Sequence, residues 1–187
     1  MIIVIADDIT GAAEIAGAAL RYKLDTMLTI GYADVPLTTQ VWVIATDTRS
    51  VSRADAVNTV NGIIGRLDKK DNILFKKTDS VLRGHVAAEL NVMLKGMRSS
   101  KALLIPQNPS RGRIIRDGIY YINGEPVDKT QFRHDPEFPI TTSEVGNILG
   151  VEVNVQALNT DRSCSVDGIC AVSYTHLRAH ETGAYLV

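Results

Sequence analysis

Charged and hydroxyl side chains concentrate in the stretch ILFKKTDSVLRGHVAAEL, residues 73–90, between an apolar run and a helical pattern. The polar residues there are Lys76, Lys77, Asp79, Ser80 and Arg83, followed by Gly84. Carboxylates accept hydrogen bonds from hydroxyl groups, and a guanidinium group binds a carboxylate through two parallel bonds. This combination of residue types suits the binding of a small polyhydroxylated anion.

Three other apolar runs end in polar residues. The run at 1–6 is followed by Asp7, Asp8, Thr10 and Gly11. The run at 41–46 is followed by Asp47, Thr48, Arg49 and Ser50. The run at 102–106 is followed by Gln107, Asn108, Ser110, Arg111 and Arg113. If these strands are parallel, the four polar ends share one edge, where ligands bind in open α/β sheets. Asp, Ser and Thr also cap helices, which is the alternative for any single residue. Four such ends together favour a small-molecule site.

Short apolar runs alternate with helical patterns along the chain. The strands are expected at 1–6, 26–31, 41–46, 72–75 and 102–106, and the helices at 10–22, from Ser52 to Leu67, and after Gly84. This alternation predicts an α/β three-layer sandwich with a largely parallel sheet and helices on both faces. Asn123-Gly124 between apolar runs predicts a β-hairpin excursion around 119–127. A weak helix from 141 and a strand at 151–158 follow.

Composition excludes several classes of protein. The formal net charge of -1 over 187 residues gives no field that would attract nucleic acid or an acidic membrane. Two cysteines form neither a metal motif nor a disulfide framework. No apolar run reaches the roughly 18 residues of a membrane span, and the N-terminus does not resemble a signal peptide. A soluble protein of the cytoplasm is expected.

Familiar catalytic motifs are absent from the sequence. It contains neither G-x-x-x-x-G-K-[ST] nor G-x-G-x-x-G, so no common nucleotide-phosphate loop is present. A response-regulator receiver domain would explain Asp7, Asp8 and Asp47, but its lysine after strand five is replaced by Pro106-Gln107. A haloacid-type phosphatase would need the motif D-x-D after strand one, and the residues there, Asp7-Asp8-Ile9-Thr10, do not supply it. His176 and His180 have the spacing of a helical zinc pair but lack a third ligand, so no metal site is predicted.

Three ordered motifs resemble the four-carbon acid sugar kinases, which are tetronate and 3-oxo-tetronate kinases. The motifs are IADDITGAAE (5–14), KKTDSVLRG (76–84) and the segment IPQNPSRGRIIRDGIYYINGEPVDKTQFRHDPEFP (105–139). The resemblance runs in unbroken order from residue 1 to about residue 160.

The resemblance implies a two-domain enzyme. An N-terminal domain binds the sugar acid, a C-terminal domain binds ATP with Mg²⁺, and a terminal hydroxyl is phosphorylated between them. Residues 1–170 would be the substrate-binding domain, inactive alone, and the ATP domain would be absent from this chain. Residues 171–187 look like a non-native tail. A stand-alone sugar-acid binding or regulatory module without catalysis is the alternative, and a receiver domain is the third.

Charge and position suggest hypothetical roles for phosphoryl transfer. Asp8 and Asp79 would orient substrate hydroxyls, one of them accepting the attacking hydroxyl's proton. Lys77 would face the phosphoryl oxygens. Arg83, or the N–H groups at the start of its helix, would hold the substrate carboxylate. The other substrate-binding residues are expected to be Asp7, Thr10, Gly11, Arg49, Ser80, Gly84 and Arg113. The partners expected are the small sugar acid and the nucleotide domain. The tetronate isomer, the catalytic base and a homo-oligomeric state are left open.

Overall fold

The computed structural model of the protein describes residues 1–68, 72–150, 153–156 and 168–172. Its chain divides into two compact units. The first comprises Met1–Asp79 and Ala88–Met97, and the second comprises Ser80–Ala87 and the chain from Arg98 onward.

A four-stranded parallel sheet forms the centre of the first unit. Its strands are β1 (Ile2–Ala6), β2 (Thr26–Ile30), β3 (Val41–Ala45) and β4 (Ile73–Lys77), in the order β2-β3-β1-β4. Strands β1 and β3 are inner strands covered on both faces, which is why their sequences are continuously apolar rather than alternating. Ala6 is level with Ala45 and with Lys77. The carboxyl ends of three neighbouring strands therefore lie side by side.

Helices cover both faces of this sheet, as the sequence predicts. Helix α1 (Ile9–Arg21) places its small alanines against one face, with Val4 and Val43 in the same cluster. Helices α2 (Arg53–Arg66) and α3 (Val86–Met97) supply Val60, Ile63, Ile64 and Met93 to the other face, where Ile3, Ile5, Trp42 and Ile44 lie. Ile5 and Ile44 are both fully buried, and each contributes about 2 kcal/mol of hydrophobic stabilisation. The three-layer α/β architecture is confirmed.

The described residues of the second unit form two further sheets. Strands β5 (Lys101–Leu104), β9 (Val153–Gln156) and β10 (Gly168–Val172) form a parallel sheet in the order β5-β10-β9. Strands β6 (Arg113–Arg116), β7 (Ile119–Ile122) and β8 (Glu125–Pro126) form an antiparallel sheet. The β7–β8 turn is Asn123-Gly124, with φ of 52° and 86°, the left-handed pair that a tight hairpin requires. The predicted hairpin is confirmed.

Shorter helices complete the described part of the second unit. Three 3₁₀ helices span Pro109–Arg111, Val127–Lys129 and Gln131–His134, and α4 spans Val145–Leu149. The sequence placed the start of α4 too early, at 141. Glu144 instead forms a β-bridge with Ile119, and the Ser143 carbonyl accepts from the Tyr120 amide. Pairing with β7 therefore keeps the backbone extended up to residue 144.

The expectation of a single shared edge for all four polar strand ends is wrong for β5. This strand pairs with β10 and belongs to the second parallel sheet. Apolar periodicity identifies a strand but does not select its hydrogen-bonding neighbour, which explains the error. Strand β10 covers residues 168–172, across the expected domain boundary at residue 170. The residues of the expected tail after 172 lie outside the described part of the chain.

Within the described ranges, no helix is both long and apolar enough to cross a membrane.

Candidate functional site

Three neighbouring strand ends bring predicted residues together in the first unit. Asp7 and Asp8 follow β1, Arg49 follows β3, and Asp79 follows β4. The Arg49 Nε lies 2.9 Å from Asp7 Oδ2, and its Nη1 lies 2.9 Å from Asp8 Oδ2 and 3.7 Å from Asp79 Oδ1. One guanidinium group is therefore surrounded by three carboxylates, which we call the Arg49 cluster.

The carboxylates of the Arg49 cluster differ in depth. The side chains of Asp7 and Asp79 are 5% and 6% exposed, whereas that of Asp8 is 23% exposed. The Asp7 main-chain oxygen accepts from the Thr48 amide at 2.9 Å. Its Oδ1 is buried and has no hydrogen-bond partner among the described residues. Asp7 thus ties the β1 and β3 ends together, and Asp8 is the acid nearest to solvent.

Electrostatics keep Arg49 charged. Burial lowers its pKa, but the hydrogen bond to Asp7 and the charges of Asp7, Asp79 and Asp8 outweigh that effect, so the pKa is raised. The cluster still holds two more negative charges than positive ones if all three acids are ionised. It therefore offers carboxylate oxygens to hydrogen-bond donors, such as the hydroxyl groups of a sugar acid.

Asp8, Gly11 and Lys77 are adjacent to one another. Asp8 caps α1, because its Oδ1 accepts from the Gly11 amide at 2.8 Å. A side chain at position 11 would begin 2.7 Å from that oxygen and 3.3 Å from Lys77 Cγ, so this close approach requires glycine. Lys77 Nζ donates to the Thr78 carbonyl at 3.0 Å and lies 3.4 Å from Glu14 Oε2. Thr10 is exposed in the first turn of α1.

Arg83 is held in the second unit by a carboxylate and an aromatic ring. Its Nη1 donates to Asp135 Oδ2 at 2.8 Å, and its Cζ lies 5.7 Å from the centre of the Phe132 ring. Asp135 is itself fixed, since its Oδ1 accepts from the amides of Phe138 and Glu137 at 2.8 and 3.1 Å. The Phe138 amide and then Arg83 lower the pKa of Asp135. The guanidinium group of Arg83 is therefore oriented before any ligand binds.

Removal of the Asp135 charge should change the acid sensitivity of the protein. A carboxyl group with a lowered folded-state pKa adds stability above its unfolded pKa of about 3.9 and loses it as pH falls through the folded value. Asp135→Asn should therefore cost up to about 1 kcal/mol at pH 7, and the difference should shrink progressively as pH falls below the unfolded pKa of about 3.9. Urea unfolding of both proteins at several pH values measures this. An equal cost at both ends of the range would contradict it.

The other predicted residues of the second unit occupy separate local environments. The Ser80 carbonyl accepts from the hydroxyl of the fully buried Tyr120, which also contacts the Pro106 carbonyl at 3.0 Å. Gly84 has a φ of 83°, a left-handed conformation that glycine adopts without strain. Arg113 begins β6, and its buried Nε has no hydrogen-bond partner among the described residues.

Two acids that pair with basic residues of the 73–90 stretch were not predicted as site residues. Asp135 orients Arg83, as described above. Glu89 in α3 pairs with Lys76, its Oε2 lying 2.5 Å from the Lys76 Nζ, and both side chains are buried. Lys76 therefore does not belong to the solvent-facing polar residues at the end of β4. The apolar residues around Glu89 in VAAEL were the available signal, because they place position 89 on or near the buried helix face.

No group of three or more His, Cys, Asp or Glu side chains in the described residues is arranged to hold a metal ion. His85 packs edge-on against Phe138, with ring centres 6.2 Å apart, and His134 ends a 3₁₀ helix. His176 and His180 lie outside the described residues.

Comparison with known proteins identifies the family. The family model described as a sugar-binding N-terminal domain matches residues 2–187. The chain belongs to this family. Its relatives include a D-threonate kinase of Bordetella bronchiseptica, 33% identical over 79% of this chain and 38% of its own length. A D-erythronate kinase of Heliobacterium modesticaldum is 28% identical over 81% of this chain and 36% of its own length. The chain thus spans less than two-fifths of either kinase, and the predicted resemblance to tetronate kinases is confirmed.

Solved structures share the fold of this chain. A domain of unknown function from Bordetella bronchiseptica, crystallised with citrate as a domain-swapped dimer, superposes with a TM-score of 0.81 at 27% identity, over 92% of this chain and 47% of that one. A Haemophilus influenzae protein superposes with a TM-score of 0.79 at 17% identity, over 92% of this chain and 48% of that one, which shows the shared fold.

Proposed function

We propose that this chain is the sugar-acid-binding part of a kinase that transfers a phosphoryl group from ATP to the terminal hydroxyl of a four-carbon sugar acid. The observation that carries the proposal is the Arg49 cluster, which gathers Asp7, Asp8 and Asp79 at the level ends of neighbouring parallel strands. Relatives named for D-threonate, D-erythronate and 3-oxo-tetronate share the four-carbon acid as their common chemistry.

The three acids of the Arg49 cluster have different roles in this proposal. Asp7 is almost fully buried and holds Arg49, so its role is positioning rather than contact with the ligand. Asp8 and Asp79 orient substrate hydroxyls, and one of them accepts the proton of the attacking hydroxyl. Lys77, beside Gly11, neutralises charge on the transferred phosphoryl group. Phosphoryl transfer depends mainly on such positioning and charge neutralisation.

Arg83 and Arg113 are proposed, as the sequence predicts, to recognise the carboxylate of the sugar acid. Arg83 is already oriented by Asp135 and Phe132, so little conformational entropy is lost when an anion binds. Arg113, at the start of β6, is the second arginine proposed to bind the ligand. Ser80 and Gly84 lie close to Arg83 in the sequence and complete the proposed set.

ATP and Mg²⁺ are assigned to the part of the relatives that extends beyond this chain. The described residues offer no set of acids arranged for a metal ion, so no step is attributed to Mg²⁺ here. A kinase of this kind uses the ATP of the cytoplasm, which is the proposed location. A stand-alone binding module remains the alternative, and ATP consumption by the complete gene product with a tetronate would separate the two.

Arg83→Ala should weaken sugar-acid binding roughly thirtyfold, because a charge-assisted hydrogen bond is worth about 2 kcal/mol. Isothermal titration of the chain with D-threonate and with D-erythronate measures the loss. The neutral tetritol erythritol should bind much more weakly to the unaltered protein, since it lacks the carboxylate.

Arg53→Ala is the matched control for the titration, because Arg53 is an exposed arginine on α2. It removes the same charge and should leave the affinity unchanged. Equal binding by the Arg83→Ala and unaltered proteins would refute the carboxylate role. Failure of the unaltered protein to bind any tetronate would refute the proposed function.

A further inference from the structure

A buried ion pair joins β4 to α3 in the first unit. Lys76 Nζ lies 2.5 Å from Glu89 Oε2, and the two side chains are 3% and 1% exposed. Within the described part of the chain, neither the Lys76 ammonium nor the Glu89 carboxylate oxygens have a hydrogen-bond partner. Among the described residues, each of these two buried charges is therefore neutralised by the other alone.

Stability alone does not account for such a pair. Desolvation of two ions offsets most of their attraction, so a well-packed apolar pair of similar volume is usually as stabilising. An ion pair, unlike an apolar contact, makes a relative shift of the two elements energetically costly. A shift of α3 along β4 would separate two charges in a medium of low dielectric constant, whereas an apolar contact tolerates the same shift.

The end of β4 is the part of the first unit where displacement would matter. Lys76 is level with Ile5 on the face covered by α2 and α3, and the next residue, Lys77, points toward the face of α1, near Gly11 and Glu14. Two residues later, Asp79 reaches the Arg49 cluster. Among the described strands, β4 pairs only with β1, so the sheet alone constrains it less than an inner strand.

We propose that the Lys76–Glu89 pair is a positioning device that holds the carboxyl end of β4, and with it Lys77 and Asp79, in the geometry that ligand binding requires. The ligand part of this inference depends on the proposed function. The positioning part does not, because it concerns the strand end itself.

The test compares the Lys76→Met/Glu89→Leu double variant with the unaltered chain. The double variant removes both charges and keeps the volume, so it should fold with a similar Tm. The amides of residues 77–79 should exchange about tenfold faster, and the Kd for D-threonate should rise about tenfold, since small misplacements of site groups have effects of that size or larger. Met93→Leu, a volume-conserving change in the same face of α3, is the control and should change neither quantity.

The outcomes separate the two proposals. Unchanged exchange at residues 77–79 in the double variant would overturn the positioning device, whether or not the protein binds a tetronate. Faster exchange with an unchanged Kd would overturn its link to binding. If the unaltered chain binds neither D-threonate nor D-erythronate, the proposed function fails, and faster local exchange confined to the double variant would still support the device.

Discussion

Arg49→Ala should lower the free energy of unfolding by about 3 kcal/mol, because it leaves buried acids without a counter-charge. Asp7 and Asp79 are 5% and 6% exposed, and Asp8 also pairs with Arg49. Removing one partner of a buried pair is costly since the remaining charge stays desolvated. Urea unfolding at pH 7 measures the loss.

Two comparisons make the Arg49 prediction specific. Arg53→Ala removes an exposed arginine and should cost no more than about 0.5 kcal/mol. Asp7→Asn in the Arg49→Ala background should recover part of the stability, because it removes one of the uncompensated charges. A loss below about 1 kcal/mol for Arg49→Ala would mean that solvent screens the cluster as it screens a surface pair, contrary to the burial observed.

Glu89→Gln should cost about 3 to 5 kcal/mol, the second large effect. It leaves the Lys76 ammonium, whose side chain is 3% exposed, without its carboxylate. The same unfolding measurement applied to the Lys76→Met/Glu89→Leu double variant should give a stability within about 1 kcal/mol of the unaltered protein. The difference in unfolding free energy between the two variants separates the cost of an unpaired buried charge from the net contribution of the ion pair.

The pair of Lys129 and Asp128, in which the lysine is exposed, serves as the reference for the Glu89 prediction. The Lys129 side chain is 60% exposed, so Lys129→Ala should cost less than about 1 kcal/mol. If Glu89→Gln were equally mild, the 2.5 Å contact would not be a desolvated ion pair, and the positioning role inferred from it would fall.

The sequence predicts those parts of the fold that depend on local pattern. The continuous apolar runs of β1 and β3 indicate inner strands, and Asn123-Gly124 indicates a hairpin turn. The meeting of Asp7, Arg49 and Asp79 also follows from sequence, because parallel strands end at the same edge of a sheet. These inferences need only the type and spacing of neighbouring residues.

Long-range partner choice is what the sequence does not reveal. Strand β5 looks like a fifth strand of the first sheet, yet it pairs with β10. The end of β5 at Leu104 and the start of β10 at Gly168 are 64 positions apart in the sequence. Asp135 reads as a loop acid until its contact with Arg83, 52 residues away, is known. The apolar neighbours of Glu89 indicate a buried position, but its partner Lys76 is known only once α3 is packed against β4. In each case the determining contact joins segments whose proximity only the fold creates.

The most direct test of the central claim maps ligand binding onto the backbone. Amide chemical shifts of the isotope-labelled chain are recorded as D-threonate is added, with erythritol as the control. We expect the largest changes at residues 7–11, 47–50 and 77–84, the polar ends that carry the proposed site. Saturable changes confined to other segments, or no changes at millimolar D-threonate and D-erythronate, would contradict the account.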